Sequence, residues 1–459
     1  MFNNTDSLTR TFAILLISFG IFFVLIIAGI IFFQQKVLTV GEGAQFTKIQ
    51  SAIDASSSGD IIIISSSLSP YEEILTIGAG KDRLKLIGIG GPVLDGTTFG
   101  LGVNGITISD SSNIHIKGLT IRNYEDDDSD NGAGILVEDT SSRNIFVKNK
   151  LVENGFEGIF SFGSHSFFIR NEFNQNGGEG IDSQAGNSLF IGNNFVQNGF
   201  MEGFTVDAFD IHENNNLIIG NKLFQNADDA MDVKNDFNLI LGNIASLNEE
   251  GGLIMEDESS HNLIIGNRWL DNVEDGIILD DEVTDTVVIG NKVIGNERDG
   301  IRVGDLTRNN IIQGNKIIGN ERGVFIRNND PTFSQENKVT HNKIVQSVEQ
   351  GVFLGGATDN IILNNKIKDN GAEGILLDID EDEFMYEATD NTIIRNKITN
   401  SGTDGISLTA DTMNNQVLQN HISRSILLAI RDAGVNNVFN GNICETSDPA
   451  TICTNLITE

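Results

Sequence analysis

Carboxylates, a lysine and a histidine converge between residues 182 and 234. Asp182, Asp207 and Asp232 recur at roughly one repeat interval, Lys234 follows Asp232, and Asp228 and Asp229 precede it. The stretch "DAFDIHENN" at 207–215 adds Asp210 and His212. Two carboxyl groups about 5–10 Å apart are the working pair of glycoside hydrolysis, one donating a proton while the other attacks or activates water. The same oxygen donors suit calcium. Beside such a cation a uronate carboxylate is neutralised and its α-proton made more acidic, and Lys234 with a depressed pKa would serve as the base. Asp182, Gln184, Glu256 and Arg302 fall on the same face and would contact substrate. The plainer alternative is a solvated acidic surface with Asp207–Lys234 as an exposed ion pair.

A repeat is what would set these residues side by side. Asn149, Asn171, Asn193, Asn221, Asn243, Asn267, Asn291, Asn315, Asn342, Asn365, Asn396, Asn420 and Asn442 recur at steps of 22 to 31 residues. A second Asn usually follows five residues later, and four residues beyond it Gly or Ala opens an alternating run such as "GIFSF" or "GIRV". Short, alternating, β-branched runs mark strands. Strands this short bury a face only when stacked, so the repeat predicts a solenoid with a continuous core, its recurrent Asn side chains forming a hydrogen-bonded ladder.

The expected fold is all-β: a single-stranded right-handed parallel β-helix of about sixteen coils, rising about 4.8 Å per coil into a rod of roughly 75 Å. With Gly203 as the repeat glycine of its coil, Asp207 takes the fourth outward position between Gln184 and Lys234, while Asp182 and Asp232 take the second. The interval to the next ladder Asn lengthens after Gly203, Gly323 and Gly374. That reading puts three long loops on one edge, either walling a groove or simply tolerated there.

A net charge of −34 and a pI near 4.3 exclude nucleic acid as a natural partner. They also mean that an acidic glycan would need bridging cations, with calcium the expected cofactor. The 6 His and 6 Met form no ligand-spaced cluster for copper. The acidic runs "YEDDDSDNG" and "DIDEDEF" read as solvated loops with loose affinity for calcium.

Residues 11–33, "TFAILLISFGIFFVLIIAGIIFF", carry no charge and are long enough to span a bilayer as a helix. The expected organisation is a tail at 1–10, a transmembrane signal anchor at 11–33 and a β-helix domain at 34–459 on the extracytoplasmic side. Within that domain we expect a cap helix at about 46–55, with Phe46, Ile49 and Ile53 on one face. Regular repeats follow at about 140–445, then a C-terminal cap at 444–459. A disulfide between Cys444 and Cys453 would staple the last turn there; the alternative is two free thiols.

The opening "VGEGAQFTKIQSAIDASSSGDIIII", "YEEILTI" and "LKLIGIGGPVLDG" resembles the start of the pectin-lyase-like superfamily. The Asn-Gly-Ile coils resemble NosD-type and carbohydrate-binding and sugar-hydrolysis (CASH) β-helices, over residues 38–445. The resemblance implies the fold and a polysaccharide or cell-envelope glycan as partner, but no single activity. "DDAMDVK" resembles the Asp-Asp-x-x-Asp calcium motif of a pectate lyase family, which implies Asp228, Asp229 and Asp232 as calcium ligands. "AFDIHENNNLII" resembles the Phe-Asp-Pro-His-Glu segment of mannuronan C5-epimerases, which implies catalytic roles for Asp210 and His212. Against that pattern, Ile211 replaces the proline, Asp207 stands where a tyrosine is expected, and "NEEGG" supplies no arginine.

The sequence therefore predicts a membrane-anchored glycan-binding β-helix. If it is an enzyme, it is a lyase, epimerase or hydrolase using Asp207, Asp210, His212, Asp232 and Lys234. The alternative is a non-catalytic envelope scaffold or NosD-like accessory protein.

Overall fold

The computed structural model describes residues 35–126, 131–201, 204–328, 330, 335–380 and 386–454. The expected tail at 1–10 and membrane span at 11–33 lie outside these residues, as do Gly203 and most of "DIDEDEF". Among the described residues no helix is long and apolar enough to cross a membrane.

Each coil contributes one short strand to each of three parallel sheets, of 17, 16 and 16 strands. One coil shows the pattern: Ile145–Val147 in the first sheet, Lys150–Val152 in the second and Ile159–Ser161 in the third. Each strand pairs in parallel with its counterparts one coil away, as Ile145 does with Phe167 and Ile159 with Ile181. In the first two sheets the middle residue points inward, like Phe146 and Leu151; in the third the outer two do, so Ile159 and Ser161 are buried and Phe160 faces out. The third sheet thus presents its middle residues as a single column running along the rod.

The corners explain the recurrent Asn. The residue before each Asn of the first series is left-handed, as at Lys148, Arg170, Gly220 and Gly290, which turns the chain sharply between sheets and favours glycine. The Asn then satisfies the groups the turn exposes. The backbone N–H of Asn149 donates to Asn171 Oδ1 at 3.0 Å, and Asn149 Nδ2 donates to Ile116 O at 2.9 Å and Asn171 Oδ1 at 3.2 Å. The second series behaves alike, Asn154 Nδ2 reaching Asn176 Oδ1 at 2.9 Å. A third ladder, at Asn216, Asn238 and Asn262, lines the corner between the third and first sheets. Aromatic rings stack in the core in the same register, Phe146, Phe168 and Phe190 at 5.2 and 4.7 Å and Phe173 and Phe195 at 4.8 Å, and Phe209 of the third sheet stacks on Phe195 at 4.9 Å.

The helix spans Ile49–Ala55, shorter than expected, and buries Ile49, Ala52 and Ile53. Phe46 instead bridges to Val40. Lys48 provides no side-chain cap, and the Glu73 carboxylate does that work, accepting from the backbone N–H of Ile49 at 2.8 Å and Gln50 at 3.0 Å. At the other end Cys444 and Cys453 form a disulfide with Cα atoms 5.2 Å apart.

One expectation about the loops is corrected. The extra residues near Gly203 form a small antiparallel hairpin, Phe200–Met201 with Phe204–Thr205, between the second and third sheets. The long connections from Arg327 to Lys338 and from Asp378 to Thr392 join the third sheet to the first, at the other corner. The three insertions therefore do not share an edge. Ala208, not Gly203, is the repeat residue of this coil: its N–H donates to Asp229 O, as Ala230 N–H donates to Gly251 O one coil on.

Candidate functional site on the third sheet

That shift in register rearranges the acidic cluster. Asp210, two residues after Ala208, pairs with Asp182 on one side and Asp232 on the other. The outward column therefore reads Phe160, Asp182, Asp210, Asp232, Ile254, Ile278, Arg302. Two residues further along each strand a parallel line reads Phe162, Gln184, His212, Lys234, Glu256, Asp280. His212 occupies the place the sequence reading assigned to Asp207. Asp207 belongs to a third line at the preceding corner, immediately before the repeat Gly or Ala: Glu157, Glu179, Asp207, Asp229.

The contacts are specific. His212 Nε2 lies 2.8 Å from Asp210 Oδ2 and 3.5 Å from Asp182 Oδ1. Gln184 Nε2 donates to both Asp182 oxygens, at 2.9 and 3.0 Å. Lys234 Nζ is 3.0 Å from Asp232 Oδ2 and 3.7 Å from Glu256 Oε1. Asp229 Oδ1 accepts the N–H of Gly251 at 2.7 Å, and Thr205 of the hairpin donates to Asp228 Oδ2 at 3.1 Å. Asp210 Oδ1 and Asp232 Oδ1 are buried without a hydrogen-bond partner.

Burial and mutual repulsion push this set of acids upward. Burial, then the charge of Asp210, raises Asp182 to about 6 against the opposing help of Gln184 and His212. Burial, then Asp182, raises Glu179 to about 7. Burial lifts Asp229 to about 7 despite its bond from Gly251, and drives Asp207 and Glu157 well above the carboxylate range. Asp232 is raised too, by burial and by Asp210, although Lys234 is at hand. His212 is raised by its hydrogen bond to Asp210, which outweighs burial.

Lys234 corrects an expectation. Burial alone would lower its pKa, but Asp232, Asp210 and Glu256 together hold it above the usual lysine value. The amine is a fixed cation and not a poised base.

Arg302 stands three coils beyond Asp232, about 14 Å along the rod, and is tied to Asp275 at 3.2 Å and Asp280 at 3.5 Å. It does not join the cluster. Glu256 reaches it only through Lys234. Glu157 and Glu179 were missed; their signal was the acid that precedes the repeat Gly in "FEGI" and "GEGI".

On the N-terminal side of the aspartates lies an aromatic group. Phe160 stacks obliquely on Phe162 at 4.6 Å and edge-on to Phe156 at 6.0 Å, with Phe162 exposed.

Among the described residues three groups bring three donor atoms within 4.8 Å of one another: Asp182, Asp210 and His212; Asp207, Asp210 and Asp232; and Asp207, Asp228 and Asp229. The expected calcium set of Asp228, Asp229 and Asp232 is thus divided. Asp207 replaces Asp232 beside Asp228 and Asp229, because those two sit on the corner and Asp232 on the strand.

A model described as "Right handed beta helix region" matches residues 149–279, 203–339 and 248–367, and one described as "Periplasmic copper-binding protein (NosD)" matches 331–455. The chain is a right-handed parallel β-helix protein. No curated protein sequence matches this β-helix chain. It is similar in fold to the A-module of the mannuronan C-5 epimerase AlgE6 of Azotobacter vinelandii, at 16% identity over 86% of this chain and 93% of that one, TM-score 0.39. It is also similar to the periplasmic alginate epimerase AlgG, at 12% identity over 84% and 77%, TM-score 0.31. A third is the catalytic unit of the GH87 α-1,3-glucanase of Streptomyces thermodiastaticus, at 12% identity over 92% and 71%, TM-score 0.40.

The copper-binding model matches residues 331–455. Among the described residues no three-donor group of His, Cys, Asp or Glu falls within 331–455, and Cys444 and Cys453 are bonded to each other.

Proposed function

We propose that this β-helix protein binds a polysaccharide on its third sheet and processes it by carboxyl-group acid–base chemistry at Asp182, Asp210 and Asp232. The observation that carries this reading is three aspartates in register on adjacent strands, with one histidine held against two of them. Asp182, raised to about 6, is suited to donate a proton to a leaving oxygen. Asp210, fixed by His212 at 2.8 Å, supplies the second carboxyl group. The outer pair, Asp182 and Asp232, stands two coil rises apart, about 10 Å, near the separation that admits a water molecule between two carboxyl groups. Phe162 offers an apolar surface for the face of a sugar ring at the edge of the cluster. With Lys234 held as a cation and no phenol at position 207, hydrolysis fits the groups better than lyase or epimerase chemistry.

A hard divalent cation such as calcium fits the oxygen-only donors of Asp207, Asp210 and Asp232, and of Asp207, Asp228 and Asp229. The buried, partnerless oxygens of Asp210 and Asp232 favour that fit. When bound it would neutralise repulsion among these acids and any acidic group on the sugar. The proposal includes the sequence expectation that residues 11–33 anchor the protein, that 34–459 form the extracytoplasmic domain, and that the Ile49–Ala55 helix caps the rod.

The test is incubation of the full-length protein with a panel of neutral and acidic glycans, in calcium and in chelator. New reducing ends, unsaturated products and epimerised residues would all be followed. Activity lost in Asp210→Asn, Asp232→Asn and His212→Ala supports the reading. No change in any glycan under either condition ends it and leaves the scaffold alternative.

A further inference from the structure

The second sheet carries a feature that the site on the third sheet does not use. Its first outward position reads Arg268, Lys292, Lys316, Lys343, Lys366 and Lys397 on six successive coils, and each residue pairs in register with the next. His421 continues the line. All six cations are exposed, and among the described residues none takes part in an ion pair. Elsewhere some cations are partnered, Lys150 with Glu172, Arg298 with Glu274, Arg322 with Asp299 and Arg431 with Asp404, and the unpaired ones among the described residues, such as Lys117, Lys148 and Lys338, do not form such a line. The chain holds 64 acidic residues against 30 basic ones, so carboxylates are not scarce.

Like charges directly opposite one another on a sheet destabilise it. Here that happens at five consecutive steps over about 24 Å, and folding alone gives no reason for it. The neighbouring outward column is Leu270, Ile294, Ile318, Val345, Lys368 and Thr399, half-buried throughout, with Lys368 paired to Asp369. On the other side lie the corner residues Gly266, Gly290, Gly314, His341, Asn364 and Arg395. The result is a straight stripe of cations, bordered by uncharged surface along its first half and joined by Lys368 and Arg395 toward its C-terminal end.

We propose that this lysine ladder is a docking track for an acidic polysaccharide lying along the rod axis, separate from the third-sheet site. One coil advances by nearly the length of one sugar residue in an extended chain, so a glycan with one carboxylate or sulfate per ring can set a charge against each lysine. A bilayer fits poorly, because its headgroups spread in two dimensions while this stripe is a single line on a body of net charge −34. The track also reverses, locally, the exclusion of acidic glycans that the total charge implies, and it requires no bridging cation.

The test is binding of the full-length protein to polygalacturonate in chelator, at several salt concentrations. The ladder variant carries Lys292→Gln, Lys316→Gln, Lys343→Gln, Lys366→Gln and Lys397→Gln. A charge-matched variant carries Lys36→Gln, Lys48→Gln, Lys117→Gln, Lys148→Gln and Lys338→Gln. The parent should bind with an affinity that falls steeply with salt. The ladder variant should lose at least tenfold, with a shallower salt dependence and an unchanged or higher melting temperature. The charge-matched variant should lose far less, and five Lys→Arg changes in the ladder should retain binding. Adding His212→Ala should leave binding intact, which separates this track from the third-sheet site. Equal loss in both glutamine variants overturns the proposal, as does no binding to polygalacturonate. Ladder-dependent binding to phosphatidylglycerol vesicles or to a single-stranded oligonucleotide, without binding to polygalacturonate, also overturns it.

Discussion

His212 Nε2, just past the end of the strand Phe209–Ile211, stands 2.8 Å from Asp210 Oδ2 on that strand and 3.5 Å from Asp182 one coil away. One imidazole therefore fixes two carboxyl groups that would otherwise repel each other. His212→Ala should lower kcat/KM on a processed glycan by about 100-fold or more, the scale of a lost acid–base group, while circular dichroism stays unchanged. Unaltered kcat/KM would remove His212 from the mechanism.

Lys234 and Asp232 give a stability prediction. Lys234→Met removes the cation beside Asp232, whose pKa already stands at about 8, so the cost of an unpaired buried carboxylate, roughly 3 kcal/mol, should be felt near pH 10. The cost should shrink at pH 6, where Asp232 keeps its proton in both proteins, and Asp232→Asn in the same chain should recover most of it. Denaturant unfolding of the single and double variants at both pH values measures this directly.

The raised acids set the sign of the pH dependence. Asp182, Glu179 and Asp229 have folded pKa values of about 6, 7 and 7, above their unfolded values near 4. Below pH 4 both states are protonated and the full stability is present. As pH rises toward 7 the unfolded chain ionises first, so stability is lost, at up to about 1.4 kcal/mol per group per pH unit. The melting temperature in chelator should therefore fall between pH 5 and pH 8, and calcium should flatten the curve. A melting temperature that climbs over that range contradicts this arrangement of charges.

Much of this was legible in the sequence because a solenoid writes its fold as a period. The spacing from Asn149 to Asn442 carried the coils, and the alternation after each Gly carried the third sheet. The register around Asp207 was not legible. The sequence holds a glycine, Gly203, that imitates the repeat residue, whereas Ala208 does the work of a glycine without being one. Only the pairing of Asp210 with Asp182 and Asp232 settles which aspartate faces outward. Ion pairing was equally hidden: nothing in the spacing of Arg302 says that Asp275 and Asp280 already hold it.

The Asn ladder predicts a large local penalty. Asn267 Oδ1 accepts from Asn243 N at 2.8 Å and Asn243 Nδ2 at 3.0 Å, and Asn267 Nδ2 donates to Ile240 O at 2.9 Å. Asn267→Ala leaves these buried groups unpartnered and should cost roughly 2–5 kcal/mol, read from the denaturation midpoint. An Ala substitution at exposed Asn440, in the strand Val438–Asn440, should cost less than about 0.5 kcal/mol. Equal effects at the two positions would mean that the ladder adds nothing.

The corners also bear on chemical ageing. Asn-Gly is the dipeptide most prone to deamidation, because the glycine backbone nitrogen can attack the side-chain amide. The ladder places this pair at Asn154-Gly155, Asn176-Gly177, Asn198-Gly199 and Asn370-Gly371, and in each the glycine N–H is already donated, to Tyr124 O at 2.7 Å, Asn154 O at 2.8 Å, Asn176 O at 3.2 Å and Ser347 O at 2.9 Å. With the nucleophile occupied and the amide buried, a rod studded with normally short-lived dipeptides is protected against their decay for as long as it stays wound.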